Sequence, residues 1–173
     1  SFELDANSAS VSDPWIWLYK GIGIANAFLE KISGTDLDPD GSMCAQARFL
    51  RAWYHFVLAQ NYLDVPLKTT ATESYKDVKI AATPQYEVMK WVVSEMEEVL
   101  PFITESLDHA PSDVTRTTVH GILGRIYLYM AGEAVSGVTD DERHTYFDKA
   151  AEHCKAVIDS GLHRLNPDYS QIF

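Results

Sequence analysis

From Ala45 to Leu67 the chain reads AQARFLRAWYHFVLAQNYLDVPL, in which Phe49, Trp53, Phe56, Val57 and Leu58 recur at three- and four-residue steps. Arg48, Arg51 and His55 break that run with polar groups, so the helix it predicts needs partners on more than one face. It leaves through a short extended Val65-Pro66-Leu67. Its entry is Asp40-Gly41-Ser42, where Ser42 or Asp40 is placed to accept amide hydrogens of the first turn.

Four further stretches carry the helical period, and no strand alternation of useful length is found, so the fold class predicted is all-α. The earliest opens at Asp13-Pro14, an N-cap followed by proline at the first helical position. It aligns Trp15, Leu18, Ile22, Ala25 and Leu29 and stops at Ser33-Gly34. A third helix begins at Thr83-Pro84, sets Tyr86, Met89, Val93, Met96 and Leu100 on one stripe, and ends at Pro101. The fourth, TTVHGILGRIYLYMAGEAV, follows Thr115, and its Gly121 and Gly124 predict close approach of another backbone. The fifth carries Tyr146, Ala150, Cys154, Val157 and Ile158 and stops at Ser160-Gly161, before an irregular tail.

The connection from Tyr62 to Thr83, about 20 residues, is longer than most within a compact domain, and loops of that length often carry function. Paired helices with small residues at their crossings predict a tetratricopeptide-like α-hairpin array, although no clean repeat of about 34 residues is legible. Such an array leaves terminal faces apolar unless they are capped, and nothing after Phe173 supplies a cap. The sequence therefore reads as part of a longer protein.

Charge narrows the ligands. With a formal net charge of −11 and a pI near 4.8, the chain is poorly suited to neutralise phosphates, which excludes nucleic acid and disfavours direct attachment to an anionic membrane surface. A neutral carbohydrate meets no such penalty. No apolar run approaches the roughly 20 residues that cross a bilayer, and SFELDANSAS lacks the basic start and apolar core of a signal peptide. Cys44 and Cys154 lie in helical patterns and read as two buried thiols, with a single bridge as the alternative.

Several of these segments together resemble the SusD/RagB family of outer-membrane nutrient-binding lipoproteins. The matching pieces, in the family's order, begin with Trp15, Tyr19 and Ala25-Asn26 and continue with Arg48 to Tyr54 and Val65 to Leu67. Then come Thr83 to Pro101, Thr115 to Gly132, and Tyr146 to Phe173. Two departures stand out: Leu63 occupies the place before Asp-Val-Pro where relatives usually carry glycine, and the lipid-modified cysteine of full-length members is absent. The resemblance implies that residues 1–173 form a single helical domain, the N-terminal part of a longer SusD-like protein. It also implies a surface-exposed, outer-membrane glycan- or nutrient-binding component of a Bacteroidetes-type uptake system, without catalysis and without a cofactor. The implied partners are an oligosaccharide or other nutrient and a SusC-like TonB-dependent transporter, with membrane contact only through the lipid anchor. The alternative is a helical-repeat scaffold that binds only proteins.

Sugars are held by aromatic faces stacked on pyranose C–H surfaces, with polar groups fixing the hydroxyls. Trp15 and Trp17 in the first helix, and Tyr62, Asp64 and Tyr75 in or beside the long connection, are the candidates, against core packing or local plugging. Trp53 and Trp91 fall on core stripes, and Arg48, Arg51 and Arg116 are expected to pair with carboxylates between helices. Asp36, Asp38 and Asp40 match the opening of a calcium loop, but Ala47 stands where its bidentate Glu belongs, so capping and solvation are the simpler roles. The six histidines show no metal spacing, and neither a nucleophile motif nor a spaced carboxylate pair for glycoside cleavage is present.

Overall fold

The computed structural model describes residues 8–74, 79–105, 113–168 and 170. Five α-helices dominate them: α1 (Ala9–Ile32), α2 (Ser42–Tyr62), α3 (Gln85–Val99), α4 (Arg116–Ala131) and α5 (Asp140–Asp159). Each packs on the next in chain order, giving the array of α-hairpins that the all-α reading expected. One hydrophobic cluster runs from Ile22 of α1 through Phe49 and Phe56 of α2, Met89 and Met96 of α3, and Leu123 and Ile126 of α4, to Ala150 of α5. Helix α3 lies between α2 and α4, and its buried face is accordingly wider than the predicted stripe, adding Val88, Val92 and Val99. Gly21 is a crossing point in α1: an added Cβ there would lie 2.6 Å from the Tyr54 ring of α2.

Helix α1 starts at Ala9, earlier than expected, with Ser8 rather than Asp13 as its N-cap and Pro14 inside the helix. Ser10 and Pro14 are both exposed, so the amide bond that proline cannot make is lost on the water side. Helix α2 is capped from further back than expected. Asp38 is buried, and its two carboxylate oxygens accept from Met43 N (3.0 Å) and Cys44 N (2.8 Å), while Asp40 accepts from Ser42 N (3.1 Å). Helix α4 opens on Thr115, whose Oγ1 accepts from Thr118 N, and α5 on a Thr139–Glu142 capping box. The turn Leu100–Phe102 ends α3 at Pro101, as expected.

The stripe of α5 is corrected. Packed chiefly on α4 and lightly buried, it turns Tyr146, Ala150, His153 and Val157 inward, whereas Cys154 and Ile158 are exposed, the latter by 77 %. A helix with one main neighbour needs only a narrow seam, and steps of four, three and four residues keep it there. Both cysteines are free thiols, and neither is buried as expected: Cys44 is half-buried and Cys154 exposed. Of the two glycines in α4, only Gly124 marks a close approach, since a Cβ there would lie 2.8 Å from Cys154 Sγ, while Gly121 has nothing within 4 Å.

Leu63, just past α2, has φ of 65° and ψ of −112°, a backbone conformation that glycine adopts freely and leucine does not. Leu63→Gly is therefore expected to stabilise the fold by about 1 kcal/mol, read as a raised urea midpoint. In the same assay, Gly121→Ala should add about 0.5–1 kcal/mol through helix propensity. Gly124→Ala should gain about 1 kcal/mol less, because Cys154 must leave its rotamer, and adding Cys154→Ala should restore the difference.

Candidate functional site

The long connection is organised by polar side chains that the helices bury beneath it. A two-residue antiparallel ladder, Val65 opposite Thr83 and Pro66 opposite Ala82, closes its ends; these pairs are β1 (Val65–Pro66) and β2 (Ala82–Thr83). Between them Arg51 of α2 donates from Nη1 to Asn26 Oδ1 (2.9 Å) and Thr69 O (3.0 Å), and from Nη2 to Glu95 Oε2 (2.7 Å). Asn26 of α1 donates to Lys68 O (3.2 Å) and Thr70 O (3.0 Å). Tyr19 donates to Pro66 O (2.8 Å), and Glu30 accepts from Ala71 N (2.6 Å). Burial works to raise the Glu95 carboxyl, but hydrogen bonds from Arg48 and Arg51 outweigh it and hold the group below the usual carboxylate range. Arg48 also pairs between helices, as expected, with Glu95 and Glu98 of α3, whereas Arg116 pairs with Glu105 of the segment before α4.

His55 completes the clamp. Its Nδ1 lies 2.9 Å from Arg51 O, an acceptor, so Nδ1 carries the hydrogen and Nε2 is left to accept from Lys68 N at 3.1 Å. The ring is fully buried, and burial pushes its pKa down to about 4.

Against this clamp a cleft of ≈ 420 Å³ opens between α1 and the connection, and its walls include Trp15, Tyr19, Lys20, Pro66, Lys68 and Thr72. Trp15 is half-buried, tilted on Tyr19 (centroids 4.9 Å apart) and met edge-on by Tyr62 (5.0 Å). The Tyr62 hydroxyl donates to Val11 O (2.6 Å), which ties the start of α1 to the end of α2. Trp15 and Tyr62 are thus brought together. Trp17 stands apart, 65 % exposed, with Lys20 Nζ 5.1 Å from its ring centroid. Asp64 accepts from Gln85 N (2.9 Å) at the start of α3. Tyr75 lies outside the described residues. Asp38 and Asp40 serve as amide acceptors for α2, Asp36 is exposed, and among the described residues no group of three or more His, Cys, Asp or Glu is arranged for a metal. Lys20 and Lys68 were not singled out from the sequence, and Tyr19 entered only as a position of the family resemblance, not as a ligand candidate.

A second opening of ≈ 430 Å³ lies between α1 and α2, lined by Ile24, Phe28, Met43, Leu50 and Tyr54, and is almost wholly apolar.

The comparisons agree with this architecture. The SusD-like family described as "Starch-binding associating with outer membrane" matches residues 3–128. The chain belongs to the SusD-like family. Solved structures with the same fold include a SusD-like carbohydrate binding protein from Bacteroides fragilis, 24 % identical with a TM-score of 0.83 over 98 % of this chain and 31 % of that one. A SusD superfamily protein from Parabacteroides distasonis is 24 % identical, with a TM-score of 0.84 over 96 % of this chain and 35 % of that one. A laminarin-binding SusD-like protein is 20 % identical, with a TM-score of 0.77 over 92 % of this chain and 34 % of that one. The chain thus spans about a third of the length of the SusD-like structures it matches. No curated protein matches it. No described helix of this SusD-like chain is long and apolar enough to cross a membrane.

Proton linkage gives the clamp a measurable signature. The folded SusD-like chain keeps His55 neutral down to about 4, whereas the unfolded chain protonates it near 6.5, so added protons favour unfolding between these values. Stability is expected to be complete above pH 6.5 and to fall by about 3 kcal/mol as the pH drops to 4. Burial lowers His120 as well, so it contributes with the same sign. His55→Gln should remove the His55 share and flatten the dependence of the urea midpoint on pH across that window.

Proposed function

We propose that this chain belongs to a non-catalytic glycan-binding component of an outer-membrane uptake system, exposed at the cell surface and docked on a SusC-like TonB-dependent transporter. In that proposal residues 1–173 act as one helical domain of a longer lipid-anchored protein. Family membership and the carbohydrate-related descriptions of its structural neighbours support the reading. The observation that carries it is the cleft beside Trp15, where an indole wall faces ammonium and hydroxyl groups across a space sized for sugar rings. Apolar sugar faces stack on aromatic rings while hydroxyls exchange hydrogen bonds with polar neighbours, and this cleft supplies both kinds of group. Trp15 is the stacking residue of the proposal, Tyr62 holds it from behind, and the exposed Trp17 offers a second ring on the same helix. Asp64 and Tyr75 remain ligand candidates from the connection.

The scaffold alternative draws on a different observation, the open apolar groove between α1 and α2, which has little to offer a sugar. Intrinsic tryptophan fluorescence separates the two. Titration with a panel of soluble oligosaccharides, laminarin and starch fragments among them, is expected to give saturable quenching. Trp15→Ala should weaken that binding about tenfold or more, and Trp17→Ala should have a smaller effect. Absence of any response in the folded protein would leave the scaffold reading in its place.

A further inference from the structure

We infer that the cleft beside Trp15 selects anionic glycans, oligosaccharides that carry carboxylates such as uronic acids, and that Lys68 and Lys20 are the groups that read the charge. The inference rests on the glycan-binding reading and specifies its substrate class.

The first reason is the charge pattern. The chain has 25 acidic and 14 basic residues, yet the described walls of this cleft hold two lysines and no carboxylate. Glu30, the acidic side chain of α1 that faces the connection, accepts the Ala71 amide instead of entering the cleft. A local cationic site in an acidic protein is effective at short range: at about 0.1 M salt, charges beyond about 10 Å are largely screened, whereas contacts within the cleft are not.

The second reason is the way Lys68 is held. Its amide donates to His55 Nε2 at 3.1 Å, and its carbonyl accepts from Asn26 Nδ2 at 3.2 Å. Asn26 and His55 are themselves fixed by Arg51. Both backbone polar groups of Lys68 are thus anchored to buried side chains from two helices, and its ammonium donates to Thr72 Oγ1 at the cleft wall. Such support lowers the entropy lost when a flexible lysine engages a ligand. Lys20, the second cation, sits above the exposed Trp17 ring at 5.1 Å, which holds it at the rim and gives Trp17 a positioning role. A pyranose stacked on Trp15 would meet Lys68 from the connection, with Lys20 at the rim, and charge-assisted hydrogen bonds to a carboxylate are roughly twice as strong as those to a hydroxyl.

The test uses paired ligands of one backbone. Oligosaccharides of galacturonate, mannuronate and guluronate, and the same molecules after carboxyl reduction, are titrated at about 0.1 M salt by calorimetry and tryptophan fluorescence. At least one acidic oligosaccharide is expected to bind about tenfold or more tightly than its reduced partner. Lys68→Met should abolish that preference, lowering the acidic sugar's affinity about tenfold and the reduced sugar's far less, and Lys20→Met should diminish it. Circular dichroism and the urea midpoint confirm that each variant is folded. Equal or tighter binding of the reduced sugars overturns this inference and leaves the glycan-binding reading intact. Failure of every glycan, neutral and acidic, overturns both.

Discussion

The Arg51 guanidinium is the interaction on which the rest of the molecule depends. From the middle of α2 it reaches Asn26 of α1, Glu95 of α3 and the Thr69 carbonyl of the connection. Three helices and one loop therefore share a single buried cation. Burying a charge is unfavourable unless it is paired, and removing one partner of a buried pair costs about 3–5 kcal/mol. The penalty makes the arrangement selective: helix registers that separate Asn26 or Glu95 from Arg51 strand the charge. Hydrophobic contacts bring α1, α2 and α3 together, and the cation specifies how they meet.

Adhesion is uneven along the array. The cluster is densest where α3 is flanked by α2 and α4, and thinnest at α5, whose buried side chains are Ala150 and His153. His153 stacks on Tyr127 with the rings 7° from parallel, and its Nδ1 lies 2.8 Å from His120 Nδ1, so a polar aromatic contact does much of the work that leucine or phenylalanine does elsewhere. Tyr86, Tyr146 and Glu142 add a hydrogen-bonded link between α3 and α5. The seam at this end thus depends more on hydrogen bonds than on apolar burial.

Much of the helical framework was legible in the sequence because period and caps agree locally. The Thr115 entry of α4, the Pro101 end of α3 and the Val65-Pro66 exit of α2 all fall where predicted. The start of α1 was misplaced because Asp13-Pro14 is a strong cap signal, whereas proline within the second turn is tolerated when the lost bond faces water. The stripe on α5 was set one residue off because Cys154 is the more apolar choice, while packing against Tyr127 and His120 of α4 favours His153. Leu63 was recognised as standing where relatives carry glycine, and its backbone holds glycine's conformation at leucine's expense. The clamp was only half visible. Polar groups interrupting an apolar helix, Arg51 and His55, were evident, but their targets include the Thr69 carbonyl and the Lys68 amide, which no side-chain pattern encodes.

The short β1–β2 ladder has a consequence for how such a molecule diverges. By pairing Val65 with Thr83 and Pro66 with Ala82, it fixes the two ends of the excursion side by side. The ends are then held by the ladder itself, whatever the length of the chain between them. The entropy of closing such a loop grows only with the logarithm of its length, about 0.6 kcal/mol for each doubling. Lineages are therefore free to lengthen, shorten or rewrite its outer part while the helices beneath keep their registry. Ligand preference and scaffold stability become separately evolvable traits of one chain.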